Sequence, residues 1–119
     1  MALSYDRIGE IAICNFEEFC EAGEADYSTL VKLLEDKTVT KKAILTSLFT
    51  KAFDKSEEKV MQLPIYLAGC PFKEVLTEAV SEFLWSLPNY EPDWPRVDKQ
   101  LAAILLELDR EGFLNIGSL

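Results

Sequence analysis

The sequence contains no histidine, and this absence limits the chemistry open to the protein. Histidine is the side chain that most often serves as a base near neutral pH, so Ser-His-Asp and Cys-His nucleophilic schemes are excluded. The glycines are isolated from one another and form no phosphate-binding loop. The carboxylate pairs in the sequence supply too few ligands to converge on a metal ion. We therefore expect no enzymatic activity, no cofactor and no metal site.

Cysteine is scarce, and long apolar runs are missing. Cys14, Cys20 and Cys70 form no Cys-x-x-Cys pair, and we expect reduced, mostly buried thiols. No apolar run approaches the roughly 20 residues that cross a bilayer. The first residues lack the basic and apolar regions of a secretory signal. These features predict a cytoplasmic or nuclear protein without a membrane partner.

Positive charge is also scarce, since the net charge is −9. This balance argues against direct binding of nucleic acid, which requires a basic surface, and is compatible with a basic protein partner. The charge is unevenly distributed along the chain. Residues 15–26 contain five acids and no base, and residues 37–59 contain six lysines. Either run is expected to be a solvated helix face or a surface for a partner of opposite charge.

Apolar residues recur at the spacing of amphipathic helices along nearly the whole chain. The predicted helices cover about 5–22, 26–36, 40–54, 57–68, 71–86 and 93–110. Short connections favour packing between neighbours in the chain. We predict one all-α domain over residues 1–119, a compact stack of antiparallel, HEAT-like helical hairpins with about six helices.

Local signals mark where these helices begin and end. The predicted N-caps are Asp26, Thr38 or Thr40, Ser56 and Asp93, and the predicted stops are Gly23, Gly69 and Gly112. Pro64 lies inside the fourth helix, which must therefore kink or break and restart. Pro71 fits the first turn of the fifth helix.

The segment 87–95, Leu-Pro-Asn-Tyr-Glu-Pro-Asp-Trp-Pro, contains three prolines between two predicted helices. Proline cannot continue a helix interior, so the segment reads as a stiff connector. It presents two acids, Glu91 and Asp93, and two aromatic side chains, Tyr90 and Trp94. Stiff loops on a helical scaffold are frequent sites of recognition.

Two motifs resemble the MA3 domain family, the helical-repeat modules of translation-initiation scaffolds and of the programmed-cell-death translation inhibitors. The first motif is residues 18–24, Glu-Phe-Cys-Glu-Ala-Gly-Glu, followed by a helix rich in leucine. The second is the segment 87–95 with the helix exit at residues 111–114, Glu-Gly-Phe-Leu. The sequence departs from the family pattern at Glu24 and Asn89, where family members have aspartate.

The resemblance implies a non-enzymatic domain that binds a DEAD-box RNA helicase of translation initiation through two acidic loops and regulates translation. The partner-binding residues that it indicates are Glu18, Glu21, Glu24, Asp26, Asn89, Glu91, Asp93 and Trp94. Acids held at helix ends need little ordering on binding and pair well with arginine. An aromatic side chain such as Trp94 is a typical interface anchor.

Two other functions fit the same sequence. A small acidic inhibitor of the immunity type, which blocks a basic enzyme such as a nuclease, needs the same acidity but no particular order of helices. A regulatory enzyme subunit or oligomerisation module would need no acidic surface.

Overall fold

The computed structural model describes residues 4–86, 97–112 and 114, and every regular element in those ranges is helical. The elements are α1 (Tyr5–Ala22), α2 (Ser28–Leu33), α3 (Lys41–Ala52), α4 (Glu57–Val60), α5 (Leu63–Gly69), a 3₁₀ turn (Lys73–Val75), α6 (Leu76–Ser86) and α7 (Val97–Arg110). The predicted all-α helical stack is confirmed. None of these helices is long and apolar enough to cross a membrane.

Several helix ends follow the local signals in the sequence. The side chain of Thr40 accepts a hydrogen bond from the Ala43 amide at 3.1 Å, which caps α3 as predicted. Ser56 caps α4 in the same way, accepting from the Lys59 amide. Gly112 has φ +81°, a conformation that glycine adopts at little cost, and it follows the end of α7. These ends were predictable because each depends on contacts within one turn.

The predicted helices over 57–68 and 71–86 are each shorter than expected, and each range contains a proline. The predicted helix over 57–68 breaks into α4 and α5, with Pro64 in the first turn of α5, where its missing N–H costs nothing. The predicted helix over 71–86 begins later, because Pro71 lies in a turn before the 3₁₀ segment. Phe72 follows with φ −99° and ψ 20°, outside the helical range, and this bend buries its ring.

Helix α3 lies at the centre of the packing, between α1 and α6. Its apolar side chains are buried as predicted, and the rings of Phe49 and Phe53 pack against Phe83 of α6, both with centroids 5.5 Å away. Gly9 lies where α1 meets α3, and a Cβ there would come 3.3 Å from the Ser47 carbonyl oxygen. Helix α2 packs on the same α1, and α5 packs on α7.

The three cysteines form no disulfide. Cys70 is buried and Cys20 is half-buried, but Cys14 is exposed. The prediction of mostly buried thiols is therefore wrong for Cys14, because it lies on the solvent face of α1. Burial raises the pKa of the Cys70 thiol.

Candidate protein-binding site

The first acidic stretch forms an exposed turn between α1 and α2. We name Glu18, Glu21, Glu24 and Asp26 the acidic corner, and all four side chains are exposed. The turn is created by Gly23, which has φ +77° and donates its amide to the Phe19 carbonyl at 2.8 Å. This left-handed glycine ends α1 as predicted, and it turns the chain from α1 toward α2.

Asp26 does not occupy the N-cap position predicted for it. The second helix covers only Ser28–Leu33, with Tyr27 at its N-cap and no side-chain cap. The carboxylate of Asp26 instead accepts the Ser28 amide at 3.0 Å, two residues ahead. This bond lowers the pKa of Asp26, so the side chain stays ionised. Asp26 therefore closes a local turn with Ser28, and its ionised carboxylate lies at the surface.

A buried hydrogen-bonded group fastens the corner to the core, and we name Asn15, Tyr27 and Tyr66 the corner anchor. The amide nitrogen of Asn15 donates to the Asp26 carbonyl oxygen at 2.6 Å. The hydroxyl of Tyr66 donates to the side-chain oxygen of Asn15. The hydroxyl of Tyr27 donates to the Tyr66 carbonyl oxygen at 2.5 Å. Asp26 is thus tied to α1, and Tyr27 after it is tied to α5.

Burial holds the anchor in its neutral, hydrogen-bonded form. Tyr66 is 0% exposed and Asn15 is 5% exposed. Burial raises the pKa of Tyr27 to about 12 and raises that of Tyr66 further. Gly69 completes the fit, because a Cβ at this position would come 2.8 Å from the Tyr27 hydroxyl oxygen. Asn15 lies on the buried stripe of α1 with Ala12 and Phe16, where a polar residue signals such a buried partner.

The fifth acid of the stretch has a different environment. The carboxylate of Glu17 lies 2.7 Å from Lys59 Nζ and 3.2 Å from Lys55 Nζ. The hydrogen bond from Lys59 lowers the pKa of Glu17, and Lys55 adds to the effect. The negative charge of Glu17 is therefore compensated by two lysines, whereas neighbouring Glu18 forms no ion pair among the described residues.

Most lysines of the lysine-rich run form ion pairs with acids of the same molecule. Besides the two bonds to Glu17, the pairs are Lys41 with Glu74, Lys42 with Glu82 and Lys51 with Asp6. Within the described ranges, Glu18, Glu21 and Glu24 form no ion pair. Lys59, which is paired with Glu17, also interacts electrostatically with Glu21. The corner therefore carries negative charge that no ion pair among the described residues compensates.

A surface groove with a volume of about 420 Å³ borders the corner. Glu18 belongs to both features, and the groove continues along α1 past Cys14 to Arg7, with Thr29 and Lys55 also lining it. A partner segment that pairs with the corner would find an adjoining concave surface here. No group of three or more acidic or cysteine side chains in the described part of the chain is arranged to hold a metal ion.

The second predicted acidic loop lies outside the described residues. Asn89, Glu91, Asp93 and Trp94 all fall within residues 87–96, and their roles stay predictions. The described residue before them, Ser86, lines a pocket with Tyr5 at the start of α1 and Thr50 in α3. The corner follows the other end of α1, which has 18 residues and is about 27 Å long.

Sequence analysis did not single out Trp85, whose side chain is 85% exposed at the end of α6. The available signal was its position, because Trp85 lies off the apolar stripe that ends in Phe83 and Leu84. An aromatic residue off the buried stripe of a helix points to a surface role.

Comparison with known proteins adds no relative. No protein-family model matches the chain, and no curated protein or solved structure shows significant similarity to it.

Proposed function

We propose that the protein is a non-enzymatic interaction domain whose acidic corner binds a basic surface of a protein partner. The observation that carries the proposal is the contrast in pairing. The lysines that approach α1 form ion pairs with Glu17 and Asp6, whereas Glu18, Glu21 and Glu24 form no ion pair in the described part of the chain.

Two further features suit the corner to binding. The anchor of Asn15, Tyr27 and Tyr66 fixes the turn before a partner arrives, which reduces the entropy lost on association. The carboxylates are exposed and can pair with arginine in the two-bond geometry that is the strongest of its kind. Opposite charge also speeds association of the two proteins.

The resemblance to MA3 domains suggests which partner this would be. We propose a DEAD-box RNA helicase of translation initiation, with the protein regulating translation by holding it. The geometry of the described site favours a basic protein partner in general, and only the resemblance suggests that this partner is a helicase.

The test is binding of the full chain to such a helicase by pull-down at low and high salt. The variant E21K/E24K reverses two corner charges, and lysine in the last turn of α1 is favourable to the helix dipole, so the fold should be preserved. The control E78K/E111K makes the same change in net charge at exposed positions away from the corner.

We expect wild type and the control to bind at low salt and E21K/E24K to lose binding by about tenfold or more. Equal binding by wild type and E21K/E24K would overturn the proposal. A basic nuclease serves as the second bait. Capture and inhibition of the nuclease, with no capture of the helicase, would favour the immunity-type inhibitor instead.

A further inference from the structure

A second polar pocket lies at the end of the molecule where α1 begins and α6 ends. Its volume is about 210 Å³, and it is lined by Tyr5, Thr46, Thr50, Glu82, Phe83 and Ser86. This is smaller than the roughly 300 Å³ at which pockets for drug-sized ligands begin. The pocket therefore suits one side chain or a comparably small group.

Three hydroxyl groups of this pocket, those of Thr46, Thr50 and Ser86, donate their protons to backbone carbonyl oxygens of the protein. The Thr50 hydroxyl lies 3.0 Å from the Thr46 carbonyl oxygen, and the Ser86 hydroxyl lies 2.8 Å from the Phe83 carbonyl oxygen. The Thr46 hydroxyl lies 3.0 Å from the Lys42 carbonyl oxygen. A carbonyl oxygen only accepts, so each hydroxyl must donate its single proton there. The oxygens keep lone pairs and can only accept from a ligand.

A carboxylate borders these oxygens. Lys42 Nζ lies 3.1 Å from Oε2 of Glu82 and compensates part of its charge, whereas Oε1 accepts no hydrogen bond from a described residue and can accept one from a ligand. The Phe83 ring provides an apolar wall, and Tyr5 at the rim is 51% exposed. Trp85 follows Glu82 by three residues, a spacing that makes them neighbours on the helix surface. Exposed aromatic faces attract cations.

We propose that this pocket is a second protein-binding site, which takes the guanidinium or ammonium group of one arginine or lysine side chain from a partner. Acceptor-only hydroxyls and a carboxylate satisfy a group that has only donors. Trp85 then packs against the partner chain beside the inserted side chain. The site lies at the other end of α1 from the acidic corner. Binding at this pocket does not depend on whether the corner binds a helicase.

The test uses two small probes of the same shape. N-acetyl-arginine methylamide carries the cation, and the citrulline analogue replaces it with a neutral urea group. Each is titrated into the full chain while amide and indole signals are followed by NMR. E82Q removes the pocket carboxylate at an exposed position, and E78Q is the control one turn earlier on the same helix.

We expect the arginine probe to give saturable shifts at Tyr5, Thr50, Trp85 and Ser86, with little response to the citrulline probe. E82Q should weaken binding at least about fivefold, since a charge-assisted hydrogen bond is lost, and E78Q should match wild type. The proposal is overturned if the arginine probe gives no saturable shifts, if the two probes behave alike, or if E82Q binds as wild type does.

Discussion

The acidic run and the lysine-rich run of this chain differ in how the fold pairs their charges. In the lysine-rich run 37–59, five lysines lie in ion pairs with acids from other parts of the chain. In the acidic run 15–26, the fold neutralises Glu17, and no ion pair forms at Glu18, Glu21 or Glu24 within the described residues. A run of like charge is a candidate binding surface where the fold forms no ion pair with it.

The largest expected effect is on the anchor that holds the acidic corner in place. Asn15→Ala removes the donor to the Asp26 carbonyl and leaves the buried Tyr66 hydroxyl without its acceptor. We expect the free energy of unfolding to fall by about 2–4 kcal/mol. Urea denaturation followed by circular dichroism measures this change.

Tyr66→Phe provides the matched comparison, because it removes only the hydroxyl and leaves the ring packed against Phe16 and Phe19. We expect a smaller loss of about 1–2 kcal/mol. A loss below about 0.5 kcal/mol for Asn15→Ala, the size typical of surface changes, would show that the anchor does not hold the corner.

A smaller effect should separate two adjacent acids of α1. Glu17→Gln breaks the pairs with Lys55 and Lys59 and should lower the free energy of unfolding by about 0.5–1 kcal/mol at neutral pH. Glu18→Gln, its control, removes the same charge from an unpaired position and should leave stability nearly unchanged. Equal losses for the two variants would contradict the different pairing of these neighbours.

The difference in stability between wild type and Glu17→Gln should depend on pH, and the pKa shift of Glu17 gives its sign. Because the pKa of Glu17 is lowered in the folded protein, its stabilising contribution is complete above the unfolded pKa and is lost as pH falls through the folded pKa. The difference between wild type and Glu17→Gln should therefore be constant near neutral pH, begin to shrink near the unfolded pKa of about 4.3 and vanish only below the folded pKa. Thermal unfolding across this range tests it.

Sequence patterns located most helices because their signals are local. The bounds of α1, the stop at Gly23 and the caps at Thr40 and Ser56 each depend on residues within one turn. Predictions failed where side chains further away decide the backbone. Asp26 bonds to Ser28 instead of capping, while its own carbonyl is held by Asn15 from the preceding helix.

The candidate site could be predicted only in part. Composition and the Gly23 turn indicated an exposed acidic surface. The pairing that sets Glu17 apart depends on Lys59, which is 42 residues further along the chain, and no local pattern encodes such a contact. The exposure of Trp85 likewise depends on how α6 packs on α3.

The central claim is that unpaired corner carboxylates bind a basic partner, and the salt dependence of affinity tests it most directly. The dissociation constant for the helicase would be measured over a range of ionic strengths for wild type, E21Q/E24Q and the control E78Q/E111Q. Exposed charges are screened by salt, so the slope of affinity against salt reports on them. We predict weaker binding and a flatter slope for E21Q/E24Q, and a control that follows wild type. If all three proteins give the same affinity and slope, the acidic corner is not the binding surface.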